Sequence, residues 1–348
     1  MNIEIGSEGI FFNFIKNLNE SDKIALISHV DLDGLVSAKI VEGVIKPDFV
    51  KFLNYGEINN NLMEVLKTDG YNKIIFTDLY LKEEQLSELK KFAEVLILDH
   101  HPVKANFNSD KIGYIKVEEG YCGAYLCYKL FSKIQNLDRY DWLVASACIS
   151  DFCNIKNSDW MRRVFEKYDD HFLEGIGFNY DNINESKIHK IQWILSLALI
   201  NSDQDLKKIF DEIGEEFGDI GDAEKFANEI QGQIDFCLSD FEKNKVEFSG
   251  GFYYQLNPNF KISSLLSNII SSRNPDKIIL IIREKENCYV FSARRQDAKI
   301  NMGGFVESIV KGFEGAGGGG HIPAAGGYFA KKDYFDFLER LKHSLKNL

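Results

Sequence analysis

His29, Asp31 and Asp33 stand at alternate positions in His29-Val-Asp-Leu-Asp-Gly34, directly after the apolar run Ile24–Ser28. Imidazole and carboxylate groups at the end of a buried strand fill a core badly but hold a cation well. An extended backbone there would turn alternate residues to one side. Asp78 follows the apolar run Lys73–Thr77, Asp99-His100-His101 follows Val95–Leu98, and Asp151 follows the apolar helix Trp142–Ile149. Taken singly, a helix cap, a turn or a solvated loop accounts for Asp78, Asp99 or Asp151. Brought together, Asp31, Asp33, Asp78 and Asp151 would repel strongly unless protonated or bound to metal. Carboxylates with imidazoles, and no thiolate required, suit Mn²⁺, with Mg²⁺ or Co²⁺ also compatible. Two ions sharing a bridging carboxylate point to phosphoryl chemistry.

The elements that must carry these residues alternate. Strand-like runs at Ile24–Ser28, Phe49–Leu53, Lys73–Thr77 and Val95–Leu98 are separated by helical patterns at Gly34–Val44, Ile58–Thr68 and Lys82–Phe92, with another at Gly123–Ile134. This predicts an α/β fold with a parallel sheet flanked by helices, and ligands beyond the carboxyl ends of its strands. Residues 156–247 read as a helical connector, with helices at Asp159–Tyr168, Ser186–Ile200, Gln204–Phe217 and Ala223–Glu242. From residue 248 to 348 a smaller α/β unit is predicted. Its strands are Gly251–Leu256, Lys277–Arg283, Cys288–Arg294 and Ala325–Ala330, and its helices Ile262–Ser272, Gly304–Lys311 and Asp333–Lys346. A cleft between the two lobes is expected.

With 348 residues the chain suits more than one domain, and its net charge of −12 argues against a general coat for duplex DNA. A small nucleotide or a short single strand, held by a local basic patch and metal ions, remains compatible. Six scattered cysteines, with Cys122/Cys127 and Cys148/Cys153 each five apart, match no close-spaced zinc pair and read as reduced structural thiols. No apolar run has membrane-spanning length and the N-terminus has no signal-peptide pattern, so no membrane association and a cytoplasmic location are expected.

The second chemical cluster lies near the C-terminus. Gly315-Ala-Gly-Gly-Gly-Gly-His321-Ile-Pro-Ala-Ala-Gly-Gly327 is flanked by apolar segments, unlike a linker. Its glycines permit close backbone approach, and successive N–H groups can cradle an anion. Ser292, Arg294 and Arg295, at the end of a predicted strand, could bring guanidinium groups to the same place.

The set His29-x-Asp31-x-Asp33-Gly34, Asp78, Asp99-His100-His101 and Asp151 resembles the four motifs of the DHH phosphoesterases, in order, across roughly residues 20–155. Ser292-x-Arg294 with Gly318-Gly-Gly-His321-x-x-Ala-Ala-Gly326 resembles the signature of the first-type DHH-associated domain. The resemblance implies a DHH catalytic domain (1–155), a helical connector (156–247) and a substrate-binding domain (248–348). It implies one ion on His29, Asp31 and Asp78, and a second on Asp33, Asp78, His100 and Asp151. His101 would face the scissile phosphate with Asp99 orienting the histidines. Arg294, Arg295, Ser292 and the Gly318, Gly319, Gly320, His321 loop would hold the substrate, with His321 reaching the scissile group. The single residue between His29 and Asp31 is closer to RecJ-type and archaeal-like members than to family II pyrophosphatases. The implied activity is a two-metal phosphodiesterase or exonuclease acting by attack of a metal-activated water on phosphorus. The chain shows no third domain after the glycine run, so short oligoribonucleotides (nanoRNA), pApA or pAp are the expected substrates. The alternatives are a RecJ-like exonuclease on longer single-stranded DNA or RNA, and a non-catalytic replication or repair scaffold. A homodimer is compatible with all three.

Overall fold

A computed structural model describes residues 1–103, 105–173, 180–201, 206–256 and 261–346. The chain forms two compact units, Met1–Ala227 and Asn228–Leu348. In chain order the first holds β1 (Ile3–Ile5), α1 (Glu8–Lys16), β2 (Ile24–His29), α2 (Leu32–Glu42), β3 (Phe49–Leu53), α3 (Asn60–Thr68), β4 (Lys73–Thr77) and α4 (Glu83–Leu89). It continues with β5 (Glu94–Asp99), β6 (Ile112–Val117), α5 (Gly123–Phe131), α6 (Asp141–Ser150), α7 (Ser158–Lys167), α8 (Lys187–Asn201), α9 (Leu206–Glu212) and the start of α10 (Ala223–Asn244). Gln204 and Asp205, the beginning of the helix expected at Gln204–Phe217, lie outside the described residues.

The sheet order is β1-β6-β5-β4-β2-β3. Strands β2 to β6 pair in parallel and β1 joins β6 antiparallel, so the sheet is mixed at one edge rather than wholly parallel. The apolar runs follow from burial on both faces. Along β2, Ile24 and Leu26 enter the core beneath α2, α5 and α6, while Ala25 and Ile27 enter the core beneath α3 and α4. The first core also takes in Met161 and Phe165 of α7, Ile188 and Leu195 of α8, and Ile209 and Phe210 of α9, so it is continuous across residue 155. From β2 the chain goes to β3 on one side and then returns to β4 on the other. That reversal opens a crevice at the carboxyl ends of β2 and β4.

The second unit holds the rest of α10, β7 (Val246–Phe248), β8 (Gly251–Gln255), α11 (Ser263–Arg273), β9 (Ile278–Glu284), β10 (Cys288–Arg294), α12 (Met302–Val310), β11 (Gly317–Gly320), β12 (Ala324–Ala330) and α13 (Tyr334–Lys346). Its sheet runs β11-β12-β10-β9-β8-β7. The glycine run expected as a phosphate-cradling loop is edge strand β11, paired antiparallel with β12 from Gly317 opposite Tyr328 to Gly320 opposite Ala325. Packing explains the glycines. A Cβ on Gly318 would lie 2.5 Å from Val306 Cγ1 of α12, and one on Gly320 would lie 2.5 Å from the Ala324 carbonyl oxygen. Among the described residues no helix is long and apolar enough to cross a membrane.

Candidate metal centre

The first motif bends earlier than its alternation suggests. Asp31 is the last extended residue and caps α2, its Oδ1 accepting from the Gly34 N–H at 3.0 Å, so Asp33 already lies in the first helical turn. The three side chains therefore do not share one side of a strand. His29 and Asp31 pair (Nδ1 to Oδ2, 2.8 Å), while Asp33 turns inward and accepts from the N–H groups of Gly123 and Ala124, both at 2.7 Å. Those amides open α5, whose N-terminus is a natural anchor for a carboxylate. Gly34 is required at the bend, since a Cβ there would lie 2.4 Å from the His29 carbonyl oxygen. Ser28 Oγ clamps the same corner, donating to the Gly34 carbonyl (2.6 Å) and sharing a hydrogen bond with Thr77 Oγ1 (2.7 Å).

Asp78 stands just past β4 with φ of 55°, a left-handed conformation that Asp tolerates better than most residues. Its N–H donates to the Leu98 carbonyl, and its buried carboxylate lies between two histidines. His29 Nδ1 is 3.4 Å from Oδ2, and His100 Nε2 is 3.2 Å from Oδ1. His100 Nε2 is also 3.7 Å from Asp33 Oδ2 and 3.6 Å from Asp151 Oδ2. The sites expected on β2, β4, β5 and the end of α6 thus come together around His29, Asp31, Asp33, Asp78, His100 and Asp151. The ligand atoms of His29, Asp31 and Asp78 fall within 4.8 Å of one another.

The donor atoms fit cations. His29 Nδ1, His100 Nε2 and both Asp78 oxygens are shut off from solvent, and none makes an aligned hydrogen bond among the described residues. Lone pairs converging in this way gather protons where a cation would otherwise sit. Burial opposes charging of His29, but the close carboxylates of Asp31 and Asp78, 2.8 and 3.4 Å from Nδ1, outweigh it and push the imidazole up to about 10. Burial, then the charges of Asp33 and Asp31, holds Asp78 well above the usual carboxylate range. Burial together with the charge of Asp33 pushes Asp151 up to about 7, against the pull of His100.

Asp99 and His101 sit differently. Asp99 is fully buried and satisfied: Oδ1 accepts from His101 Nδ1 (2.8 Å) and from the His101 N–H (3.2 Å), and Oδ2 accepts from Tyr114 Oη (3.0 Å). This fixes the His101 ring and leaves Nε2 facing Tyr55 Oη at 3.0 Å. Tyr55 in turn packs against Tyr80 and His29. Tyr55 and Tyr114 were not foreseen. Tyr55 follows β3, so the strand-end rule that picks out the candidate ligands also covers it, whereas Tyr114 lies mid-strand and carries no such signal.

In the second unit, Ser292 and Arg294 join one hydroxyl network with α11. Ser292 Oγ shares a hydrogen bond with Ser267 Oγ (2.9 Å), and Arg294 donates from Nε to Ser267 Oγ (3.2 Å) and from Nη2 to Ser264 Oγ (3.3 Å). Among the described residues no carboxylate pairs with Arg294. Arg295 turns away into a two-point ion pair with Asp297, at 2.7 and 2.9 Å. His321 is exposed in the β11–β12 turn, its N–H bonded to Ala324, which lies opposite Arg294 in the ladder. Arg294 and His321 therefore share one end of this sheet, with Gly318, Gly319 and Gly320 along its edge.

Residues 223–347 match the DHHA1 domain family. No curated protein sequence matches the chain. Among solved structures, the fold is similar to a DHH domain described as belonging to a family of ribosomal proteins (18% identity, TM-score 0.66, covering 97% of this chain and 90% of that one). It is also similar to exonuclease RecJ bound to manganese (14% identity, TM-score 0.66, 100% and 96% covered). A third is a pGpG-specific phosphodiesterase from Vibrio cholerae (12% identity, TM-score 0.57, 93% and 99% covered).

Proposed function

We propose that this DHH-family protein, RecJ-like in fold and bearing a DHHA1 domain, is a metal-dependent phosphoesterase that hydrolyses short oligonucleotides or small nucleotides such as nanoRNA, pApA or pAp. The observation that carries this reading is the convergence of buried donor atoms from His29, Asp78 and His100, with no aligned hydrogen bond among the described residues, beside Asp31, Asp33 and Asp151. His29, Asp31 and Asp78 would hold one divalent ion, and Asp33, Asp78, His100 and Asp151 the other, with Asp78 shared. Bound there, such ions supply charge neutralisation and an activated water for attack on phosphorus. The protein's own groups do the rest. His101, its Nδ1 proton directed to Asp99, offers Nε2 to a phosphoryl oxygen or leaving group. Arg294, without a carboxylate partner among the described residues, and Ser292 bind a phosphate of the substrate, assisted by His321 and by strand β11 at the edge of the sheet. Phe152, 51% exposed beside Asp151, offers a flat face to a base. Arg295, committed to Asp297, contributes to positioning its own loop rather than to substrate.

A second reading is favoured by the likeness to the manganese-bound RecJ chain, 96% of which is covered, whereas RecJ from Thermus thermophilus is covered over about half of its chain: an exonuclease on longer single strands. The test is one panel. Purified protein with Mn²⁺ or Mg²⁺ is incubated with pAp, pApA, a short RNA, long single-stranded DNA and a cyclic dinucleotide. Fastest release from the small substrates is expected. Preference for long DNA would favour the exonuclease, and no hydrolysis with metal bound would leave a non-catalytic scaffold.

A further inference from the structure

We propose that Cys153 supplies a sulfur ligand to the ion held by His100 and Asp151, so that the second metal position is a mixed oxygen, nitrogen and sulfur site. The inference rests on the two-ion reading above and adds a donor to it.

The backbone at the end of α6 is built to aim this side chain. The Cys153 N–H reaches back to the Cys148 carbonyl (2.8 Å), closing the helix with the wide hydrogen-bonded turn that needs a left-handed residue just before it. That residue is Phe152, at φ of 55°. Glycine or asparagine usually takes this position, and a bulky side chain there is strained. The turn folds the chain over so that Asp151 and Cys153 face the same point. Asn157 locks it, donating from Nδ2 to the Cys153 carbonyl at 3.2 Å.

The result is a thiol among metal ligands. Cys153 Sγ lies 3.2 Å from Asp151 Oδ2 and 3.2 Å from the Asp151 carbonyl, and the residue is 6% exposed. A ring nitrogen of His100, an Asp151 oxygen and Cys153 Sγ fall within 4.8 Å of one another. An ion with bonds of about 2.0–2.3 Å to nitrogen, oxygen and sulfur spans donors at such separations. An independent observation marks the same point. Asp78, 1% exposed and with neither oxygen hydrogen-bonded, aims Oδ1 at His100 Nε2 from 3.2 Å. On binding, sulfur gives an electron pair to the ion and the S–H proton passes to solvent. A soft donor in a carboxylate-rich site shifts preference from Mg²⁺ towards Mn²⁺, Co²⁺ and Zn²⁺.

The test is anaerobic titration of the full chain with Co²⁺, followed by absorbance. Wild type is expected to show visible ligand-field bands together with a near-ultraviolet sulfur-to-cobalt charge-transfer band. Cys153→Ser, which keeps a donor to Asp151, should keep the visible bands and lose the charge-transfer band, while Cys122→Ser keeps both. The serine variant should also lose Co²⁺ affinity on the order of 10-fold or more, with Mg²⁺ affinity unchanged. Visible bands without charge transfer in the wild type would overturn the sulfur ligand and leave the two-ion reading standing. No cobalt bands at all would overturn both.

Discussion

Replacing Asp151 with asparagine should stabilise the metal-free protein at alkaline pH while destroying part of the centre. The carboxyl is pushed up to about 7 by burial and the charge of Asp33, from an ordinary 3.8. Between these values the folded protein keeps a proton that the unfolded chain has released, so stability falls as pH rises through the window and the loss is complete above about 7. A gap of about three pH units at about 1.4 kcal/mol each amounts to about 4 kcal/mol. The side chain retains 28% exposure, and solvent screening reduces the expected figure to about 2–4 kcal/mol. Asparagine keeps the shape without the charge. Urea unfolding in chelator at pH 4.5 and pH 8 should show a difference of about 1 kcal/mol or less between variant and wild type at the lower pH and a variant more stable by about 2–4 kcal/mol at the higher. Saturating Mn²⁺ should reverse the order at pH 8, because the wild type gains more from the ion. A difference of the same size at both pH values, or none at pH 8, would show that the carboxylate carries no electrostatic cost in the fold and refute the reasoning.

Asp78→Ala should abolish both Mn²⁺ binding by calorimetry and turnover, since it removes the shared carboxylate; wild-type turnover would end the two-ion assignment. Arg294→Ala should raise KM on a small nucleotide with little change in kcat, because it removes ground-state phosphate binding; a loss confined to kcat would assign Arg294 a catalytic role. Gly318→Ala, by driving a Cβ to 2.5 Å from Val306, should destabilise the second unit by about 1–3 kcal/mol in thermal unfolding. His189, 1% exposed with neither ring nitrogen hydrogen-bonded among the described residues, is held down to about 4 by burial from an ordinary 6.5. The unfolded chain therefore takes up a proton first, and stability should fall by about 3 kcal/mol as pH drops from about 6.5 to about 4. His189→Phe should flatten that acid limb.

The strand-end rule picked out the candidate ligands because parallel strands buried on both faces read as plain apolar runs, and whatever polar residue follows must sit at the sheet's carboxyl edge. Geometry inside the first motif was not legible. Alternation in His29-Val-Asp-Leu-Asp suggests a strand face, but the cap on Gly34 starts α2 at Leu32 and sends Asp33 to a different partner. Strands β1 and β6 escaped notice because one is three residues long and the other carries Gly113 and Lys116 in an otherwise apolar run. Glycine composition signals freedom, yet in β11 it answers to the close approach of α12, a contact that sequence spacing does not encode. Arg294 and Arg295 are adjacent and chemically alike; only the neighbouring Asp297 and the α11 serines separate their roles. Cys153 reads as one more buried thiol until the strained Phe152 is seen to turn it.

The candidate ligands come from the ends of β2, β4, β5 and α6, four segments between His29 and Asp151 that meet only when the sheet is closed. No partial chain emerging from a ribosome carries the complete set until Asp151 is out and the intervening crossovers have docked. Such long-range pairings form late and slowly. An ion therefore cannot seed this fold as it does in a zinc finger; it can only reward a finished one. Loading of the proposed centre would then work as an inspection step, in which misregistered or truncated copies remain empty and less stable, and cellular proteolysis could tell them from the rest.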